Sequence, residues 1–349
     1  MQFWMIFLCG ALLASEGQHR LFQDIPCSKK GCDLEGMFWM SEISALCWQA
    51  RVEGLAFGLK NDPLPNGAIG NVNGKLSTVK FHFEPAFKID VGMIFSKRGW
   101  DTEFRWTRFQ TDTSTTITSN GAQIIPLWAF PSADITGQFR YGSAKGTWNL
   151  NFNGFDVEMG YHPFLSPALS LRFHAGLKVG SIDQKFSAHY SGGTVVGLNA
   201  LVSANADLTN SSIGTGPRIG FESKWELGKG FSLLGTFAGA LPLWHFRVNR
   251  TDTDRNTQSS IASGIDVSSR MRFWIFRPVL ETALGFGWQT CFGCERKFPF
   301  GLDVKYELQY FAEQNMMSML VNPGLLSQTF FPRGDLIFHG AALTFYFGF

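Results

Sequence analysis

Apolar and polar side chains alternate along the last stretch of the chain, which reads DLIFHGAALTFYFGF from Asp335 to the end. Counted back in twos, one set of positions is apolar, and the interleaved set is small or polar except for Tyr346. Successive side chains of a β-strand point to opposite faces, so this period of two predicts a strand with one apolar face. The apolar set is Ala341, Leu343, Phe345, Phe347 and Phe349.

The same period recurs along the chain and predicts nine further strands. Short turns, such as KRG at 97–99 and GKG at 228–230, follow the second, fourth, sixth and eighth strands. Long polar loops follow the others. A further hairpin between 121 and 141 would raise the count from ten to twelve. The nine strands are predicted near residues 41–57, 76–95, 100–110, 144–161, 168–190, 212–227, 231–249, 267–290 and 302–310.

Connections that alternate in length are typical of outer-membrane barrels, which have short periplasmic turns and long extracellular loops. We therefore predict an all-β fold, a transmembrane antiparallel up-and-down β-barrel of about ten strands, with both termini in the periplasm. A soluble β-sandwich or propeller fits the bulk composition but gives no reason for this alternation. The predicted barrel-closing strand carries Leu343, Phe345, Phe347 and Phe349 on its outward face.

Within the predicted strands, charged residues occupy the positions opposite the apolar ones. The outward face of a barrel in hydrocarbon is apolar, so we predict that the charged face points into the lumen. Two interpretations stay open: mutually satisfied ion pairs that fill the interior, or a hydrated pore whose charges bias the passage of ions. The predicted lumen-facing charges are Asp101, Glu103, Arg105, Asp156, Glu158, Arg172, Lys178, Arg218, Glu222, Lys224, Asp303 and Lys305.

Composition suits this architecture and disfavours several classes of function. The 349 residues include 35 Phe, 11 Trp and 38 Gly, only 17% are charged, and the formal net charge is +2. The mean hydropathy is near zero. The low net charge argues against a nucleic-acid partner. The histidines are scattered and no Gly-x-Ser-x-Gly motif is present, so we predict no enzymatic activity, no catalytic residue and no cofactor or metal.

The N-terminus predicts export. Residues 1–15 form an apolar run ending in small residues, as in a secretory signal peptide, although no Lys or Arg precedes Arg20. A buried first strand is the alternative. Residues 16–40 are polar and irregular and are predicted to form a periplasmic segment, and residues 41–349 form the predicted outer-membrane barrel.

Removal of the signal peptide would leave five cysteines, which in an exported protein favour disulfides. Local pairs, a clip between segments and bonds to another chain all stay open. A zinc site is disfavoured because the two spacings differ, and a redox role because no βαβ context surrounds the Cys-x-x-Cys. The predicted disulfide cysteines are Cys27, Cys32, Cys291 and Cys294, with Cys47 left over.

Four motifs in order along the chain carry a resemblance to a known family. They are LCWQA at 46–50 with EGL at 53–55; the block 83–109, which ends in TRF; the hairpin 156–176, followed by IDQK at 182–185; and GFGW at 285–288 with YELQ at 306–309. Together they resemble the Legionella-type, MOMP-like family of pore-forming outer-membrane proteins, also found in chlamydia-related bacteria. Cys47 stands where that family usually has an aromatic. The resemblance implies a pore-forming barrel without cofactor or catalytic residues, and it transfers no defined binding site.

We therefore expect a porin-like protein in the outer membrane of a Gram-negative bacterium, through whose lumen ions and small solutes diffuse passively. The alternative is a structural or adhesive envelope barrel with a closed lumen and disulfide crosslinks, since ten strands leave little open space. Expected partners are outer-membrane lipid, the barrel-assembly machinery through the C-terminal strand, and small solutes or ions. A homo-oligomer is left open.

Overall fold

The computed structural model describes residues 37–61, 74–95, 99–119, 124–128, 139–163, 166, 168–195, 198–256, 265–292, 298–321 and 328–348. The predicted signal peptide, nearly all of the predicted periplasmic segment and Phe349 lie outside these residues. Among the described residues, none forms a helix long and apolar enough to cross a membrane.

The described residues are almost entirely β-strand. The strands are β1 (Met37–Val52), β2 (Ala56–Asn61), β3 (Gly74–Thr78), β4 (Phe83–Phe95), β5 (Trp100–Thr118), β6 (Ile124–Pro126), β7 (Phe139–Arg140), β8 (Ser143–Tyr161), β9 (Leu169–Val195), β10 (Leu198–Gly228), β11 (Phe231–Ala240), β12 (Leu243–Asn256), β13 (Ile265–Phe276), β14 (Val279–Phe292), β15 (Phe298–Asn315), β16 (Met319–Val321), β17 (Gln328–Phe330) and β18 (Gly334–Gly348).

The long strands close into one antiparallel ring. β1 pairs with β18 on one side and with β4 on the other, so the first and last barrel strands are neighbours. From β4 the ring continues through β5, β8 and β9 to β10, and from β18 it continues through β15 to β14. This pairing confirms the predicted all-β, up-and-down barrel.

Two barrel strands are each built from two segments. β11 and β12 both pair with β10, and the break between them falls at Leu241 and Pro242. β14 and β13 pair with β11 and β12, and the break between them falls at Arg277 and Pro278. Proline has no N–H to donate to a strand ladder, which accounts for the two breaks at one level. Counted in this way, the described residues form a ring of ten strands.

The region between 121 and 141 adds no barrel strand among its described residues. β6 pairs with β2, and these two strands form a separate three-stranded sheet with β3. β7 pairs only with the end of β9. The hairpin that would have given twelve strands is therefore not found in the described part of this region.

The short connections all lie at one end of the barrel, which we call the turn end, together with the start of β1 and the end of β18. The opposite end is the loop end. Several strands extend further towards the loop end than the sequence predicted. β10 begins at Leu198 rather than near residue 212, and β5 continues to Thr118. The predicted Gly/Ser/Asn loop after the fifth barrel strand is thus mostly strand. At the turn end β1 begins at Met37, before the predicted Ser41.

The sequence predicts these strands too short because the outward and inward faces exchange their character along the barrel. On the half nearer the turn end the outward side chains are apolar, as in Leu284 and Phe286, which are 68% and 63% exposed. We call this band the apolar belt. Nearer the loop end the outward residues are polar, such as Asn149 and Lys185, and the inward residues are apolar. A strand with a polar outer face in water resembles a loop in sequence.

The interior consequently contains two layers. The layer inside the apolar belt is charged and is called the ionic layer; its main members are Asp90, Asp101, Glu103, Arg105, Asp156, Glu158, Arg172, Lys178, Arg218, Glu222 and Glu281. Towards the loop end follows the aromatic layer, which consists of Trp48, Phe109, Phe152, Trp244, Phe311 and Phe338, each at most 1% exposed.

Glycines on two strands make room for the aromatic layer. A Cβ atom at Gly180 would lie 2.8 Å from the ring of Trp244, and one at Gly214 would lie closer still. In a closely packed interior the Trp244 side chain cannot shift to accommodate an added Cβ atom without a cost in free energy. We expect Gly214→Ala to destabilise the folded barrel by about 1–3 kcal/mol, as overpacking does. The measurement is thermal unfolding in detergent, followed by the loss of the heat-modifiable gel shift.

The matched control is Gly239→Ala, because a Cβ atom there would make only an ordinary 3.7 Å contact with Leu280. Its unfolding temperature should stay close to that of the unmodified protein. Equal effects of the two substitutions would contradict the packing of Trp244 described above.

Candidate functional site

The ionic layer centres on Arg172, a buried residue of β9. Its guanidinium donates to both carboxylate oxygens of Asp101 at 2.6–3.1 Å and to Glu158 at 2.8 Å. Glu103 and Glu222 lie 3.3 and 3.4 Å from the same guanidinium. One arginine thereby contacts carboxylates carried by β5, β8 and β10.

Arg218 and Lys178 extend this network to the opposite wall. Arg218 on β10 forms an ion pair with Glu158 and donates to Glu281 on β14 at 2.8 Å. Lys178 on β9 lies 3.0 Å from Asp156 and 2.5 Å from Glu281. Charges removed from water are tolerated when each has a close, hydrogen-bonded counter-charge, and the network provides this.

Arg105 on β5 completes the network on the side of β4. It contacts Asp90 and donates to Glu103 at 2.6 Å. Three further pairs of inward charges lie outside this network. These pairs are Lys88 with Glu307 at 2.8 Å, Lys224 with Glu226 at 2.9 Å, and Lys305 with Asp303 at 3.2 Å.

The structure places all the charges predicted for the lumen on inward-facing positions. Three of them, Lys224, Asp303 and Lys305, belong to the separate pairs. The others are brought together in the one network around Arg172: Asp101, Glu103, Arg105, Asp156, Glu158, Arg172, Lys178, Arg218 and Glu222.

Sequence reasoning missed Glu281, Asp90 and Lys88 as members of this site. The signal was present in each case, because Glu281 alternates with Leu280 and Thr282, and Lys88 and Asp90 alternate with Ile89 and Val91. An alternating strand is identified by its apolar set, and single charges opposite that set do not by themselves mark a site.

A cavity of about 340 Å³ lies against the ionic layer and extends to strand positions near the turn end. Its walls include Arg105, Arg172 and Glu222 from the network, and Gln289 and Tyr346 nearer the strand ends. Its lining is therefore polar and charged, with acidic and basic groups interspersed, which suits water, small ions or small polar solutes.

Three side chains of the network would be close enough to share a metal ion. Glu158, His174 and Glu222 bring one ligand atom each within 4.8 Å of one another. Arg172 and Arg218 already contact these carboxylates, however, so a cation bound there would lie against guanidinium groups. The arrangement is explained by ion pairing, and the residues do not fit a metal site.

The aromatic layer crosses the full width of the barrel. The ring of Phe338 on β18 lies 4.9 Å, between centroids, from Phe152 on β8, 5.5 Å from Phe109 on β5 and 5.3 Å from Phe311 on β15. Trp48 on β1 stacks on the same ring at 6.0 Å. These rings come from opposite walls of the barrel, so the interior at this level is occupied by side chains.

The end of β15 and the residues that follow it, Gln314–Ser318, fold inward beyond the aromatic layer and are buried. The carbonyl of Gln314 accepts hydrogen bonds from Gln184 on β9 at 3.2 Å and Asn210 on β10 at 2.6 Å. Met316 and Met317 join the apolar core there. The inward segment gives the loop-end half of the barrel a second layer of filling.

Two buried side chains attach further segments from the loop end to the barrel wall. The hydroxyl of Tyr190 donates to the carbonyl of Phe57 at 2.5 Å and accepts from the backbone N–H of Trp128 at 3.2 Å. Arg250 donates to the carbonyls of Trp128 at 2.6 Å and Ser318 at 2.8 Å. Burial raises the pKa of the Tyr190 phenol well above its usual value, so it stays a neutral donor.

The structure describes the predicted cysteines only in part. Cys27, Cys32 and Cys294 lie outside the described residues, and Cys291 lies at the end of β14 with its side chain outside them. Cys47 is a free, exposed cysteine on the outward face of β1. On the predicted closing strand, Leu343, Phe345 and Phe347 are 36%, 37% and 47% exposed on the apolar belt.

Arg218 gives the clearest test of the ionic layer. We expect Arg218→Met to destabilise the barrel by about 3–5 kcal/mol, because removing one partner of a buried ion pair leaves the other uncompensated. Glu158 and Glu281 would each lose a contact. The measurement is denaturant unfolding of the barrel refolded in lipid vesicles, followed by tryptophan fluorescence.

Lys224→Met is the matched control, since the Lys224–Glu226 pair is partly exposed, with side chains 29% and 23% accessible. Such pairs contribute about 1 kcal/mol or less. A loss from Lys224→Met as large as that from Arg218→Met would contradict the assignment of the buried network.

Comparison with solved structures gives similarity to other outer-membrane proteins. The outer membrane protease OmpT from Escherichia coli aligns at 12% identity and a TM-score of 0.38, covering 89% of this chain and 96% of that chain. A Pseudomonas aeruginosa FadL homologue aligns at 7% identity and a TM-score of 0.29, covering 90% of each chain. The P. putida toluene transporter TodX aligns at 8% identity and a TM-score of 0.27, covering 90% of this chain and 89% of that chain.

A search of curated proteins gives no significant match. The family model described as Legionella pneumophila major outer membrane protein precursor matches residues 25–331. That match covers most of the chain, including every barrel strand except β18 and all of the ionic layer. It also confirms the family expected from the four sequence motifs and the location in the outer membrane of a Gram-negative bacterium. The chain therefore belongs to the Legionella major outer membrane protein family.

Proposed function

We propose that this outer-membrane barrel is closed to free diffusion and serves as a structural component of the envelope. The observation that carries the proposal is the set of rings around Phe338, which comes from β1, β5, β8, β15 and β18. Rings whose centroids lie 4.9–6.0 Å apart are in contact, so a hydrated ion does not fit between them. The inward segment at Gln314–Ser318 supports the same conclusion, because these residues are buried beyond the aromatic layer.

Passive diffusion of ions and small solutes is the second candidate, and one observation favours it. The cavity beside the ionic layer has room for several water molecules and is lined by charges of both signs. A porin would need this cavity to continue past the aromatic layer, which requires the rings to move. The two candidates therefore differ in one measurable property, the conductance of the folded barrel.

Single-channel recording in a planar bilayer tests the proposal. We expect the refolded barrel to give no discrete steps, and we expect the double substitution Phe338→Ala and Phe152→Ala to introduce steps that scale with salt concentration. The two substitutions remove rings from opposite walls of the aromatic layer. Folding of each protein is checked beforehand by its heat-modifiable gel shift, because large-to-small changes in a core cost about 3–5 kcal/mol each.

Phe345→Ala is the matched control, because Phe345 lies on the same strand as Phe338 but faces outward. It should leave the conductance at the baseline. Ohmic steps from the unmodified, folded barrel would overturn the closed structure and support the porin candidate.

We also propose that the barrel joins the envelope through other contacts predicted from the sequence. These are docking of the C-terminal strand on the barrel-assembly machinery and disulfides through Cys27, Cys32, Cys291 and Cys294. Disulfides to other chains would fit a structural role. No enzymatic function is proposed, because the network around Arg172 is explained by mutual ion pairing.

Intermolecular disulfides have a direct test. We expect non-reducing gels of freshly alkylated outer membranes to show multimers that reducing agent converts to monomer. A Cys47→Ser variant should still form them, because Cys47 lies on the outward face of the strand rather than with the predicted pairs. Monomer alone in alkylated, unreduced membranes would contradict the crosslinking.

A further inference from the structure

Two arginines lie directly opposite each other on the outer surface of the barrel. Arg247 on β12 and Arg272 on β13 are register partners, and both are exposed on the outward face. Arg270 occupies the next outward position on β13, opposite Asn249. Like charges at directly opposed positions of neighbouring strands are destabilising unless an anion lies between them.

Within the described part of the chain these three guanidiniums have no hydrogen bond and no ion pair. The strand neighbour of Arg247 on its other side is Ser211, which carries no charge. Two other outward-facing arginines do have partners within the chain. Arg51 donates to Gln49 at 2.6 Å and Arg108 donates to Asn153 at 2.9 Å. The cluster of Arg247, Arg270 and Arg272, which we call the arginine cluster, therefore has unused donors.

The arginine cluster lies at the loop-end edge of the apolar belt. One outward position nearer the turn end on each strand, His245 and Trp274 are register partners whose rings stack at 4.4 Å. Trp274 is 63% exposed, and the outward residues that follow, Phe276 and Leu280, are 58% and 43% exposed. Aromatic side chains mark the interface at the edge of the apolar band of outer-membrane barrels. The cluster is thus at the level of the lipid headgroups.

The loop end of the barrel faces the outside of the cell, so these headgroups belong to the outer leaflet. In a Gram-negative outer membrane that leaflet consists of phosphorylated glycolipid, lipopolysaccharide. A guanidinium presents its N–H groups in a planar fork that matches phosphate oxygens. Two guanidiniums on adjacent strands can bind one phosphate headgroup. The aromatic and apolar side chains on the turn-end side of them can then contact the acyl chains of the same lipid along the apolar belt.

We propose that Arg247, Arg272 and Arg270 form a binding site for a phosphate group of the outer-leaflet lipopolysaccharide. Binding places a double negative charge between like charges that otherwise repel each other, so the lipid stabilises this part of the barrel. Trp274 and Phe276 contact the acyl chains below the headgroup. The site is independent of whether the lumen is open or closed.

The test uses the full mature chain refolded in detergent and measures its unfolding temperature by the gel shift. Three additives are compared at matched concentration: lipid A, enzymatically dephosphorylated lipid A and inorganic phosphate. We expect only lipid A to raise the unfolding temperature. The double substitution Arg247→Gln and Arg272→Gln should raise the half-saturating lipid A concentration at least about tenfold, because charge-assisted hydrogen bonds are lost.

The same variant provides a readout that does not depend on lipid. Without lipid its unfolding temperature should equal or exceed that of the unmodified protein, since the opposed like charges have been removed. The matched control is the double substitution Arg51→Gln and Arg108→Gln, which removes the same charge from arginines that have partners in the chain. It should keep the response to lipid A.

Three outcomes would overturn the proposal. An equal response to dephosphorylated lipid A would show that only the acyl chains are bound. A full response to inorganic phosphate would make this a site for free anions. If the control variant lost the response to lipid A to the same extent, the response would depend on overall surface charge rather than on this site.

Discussion

The interior of a ten-stranded barrel is narrow, and the side chains that point into it must satisfy one another. Small barrels are filled by side chains rather than by a wide column of water. In this chain the part inside the apolar belt is filled by opposite charges, and the part beyond it by aromatic rings. The aromatic filling depends on the closure between β1 and β18, because Trp48, on β1, and Phe338, on β18, stack only when these strands are neighbours.

The change from charge to aromatic rings inside the barrel accompanies a change of solvent outside it. Where the outer face meets lipid, apolar residues face outward and the charges must turn inward. Beyond the belt the outer face meets water, so polar residues such as Asn149 and Lys185 face outward and the apolar set fills the centre. The cation–π contact of Lys88 with Trp48, at 5.7 Å, lies where the two layers meet. The membrane therefore determines the filling of the lumen as well as the outer surface.

This reversal also explains which features the sequence could predict. A period of two identifies a strand, and the aromatic end of the last strand, at Phe347 and Phe349, indicates a closing strand. These two signals predict the barrel architecture. The period does not state which face meets lipid, and in β1 the apolar set around Trp48 points inward. The extensions of β9 and β10 have polar outer faces, and such a sequence predicts a loop as readily as a strand. The contact of Phe338 with Phe152 depends on how the barrel wall curves, and the sequence contains no signal for that curvature.

The carboxylates of the ionic layer outnumber its basic side chains, so each basic group has more than one partner. Four basic side chains, Arg105, Arg172, Lys178 and Arg218, are shared among more carboxylates than there are cations. Replacing such a network by apolar residues of similar volume is often neutral for stability or even favourable, so stability alone does not account for it. A wall of paired charges is compatible with water in the adjoining cavity, whereas apolar residues of the same volume would leave that cavity dry. The ion pairs therefore keep this part of the lumen polar, while the aromatic layer beyond it is apolar.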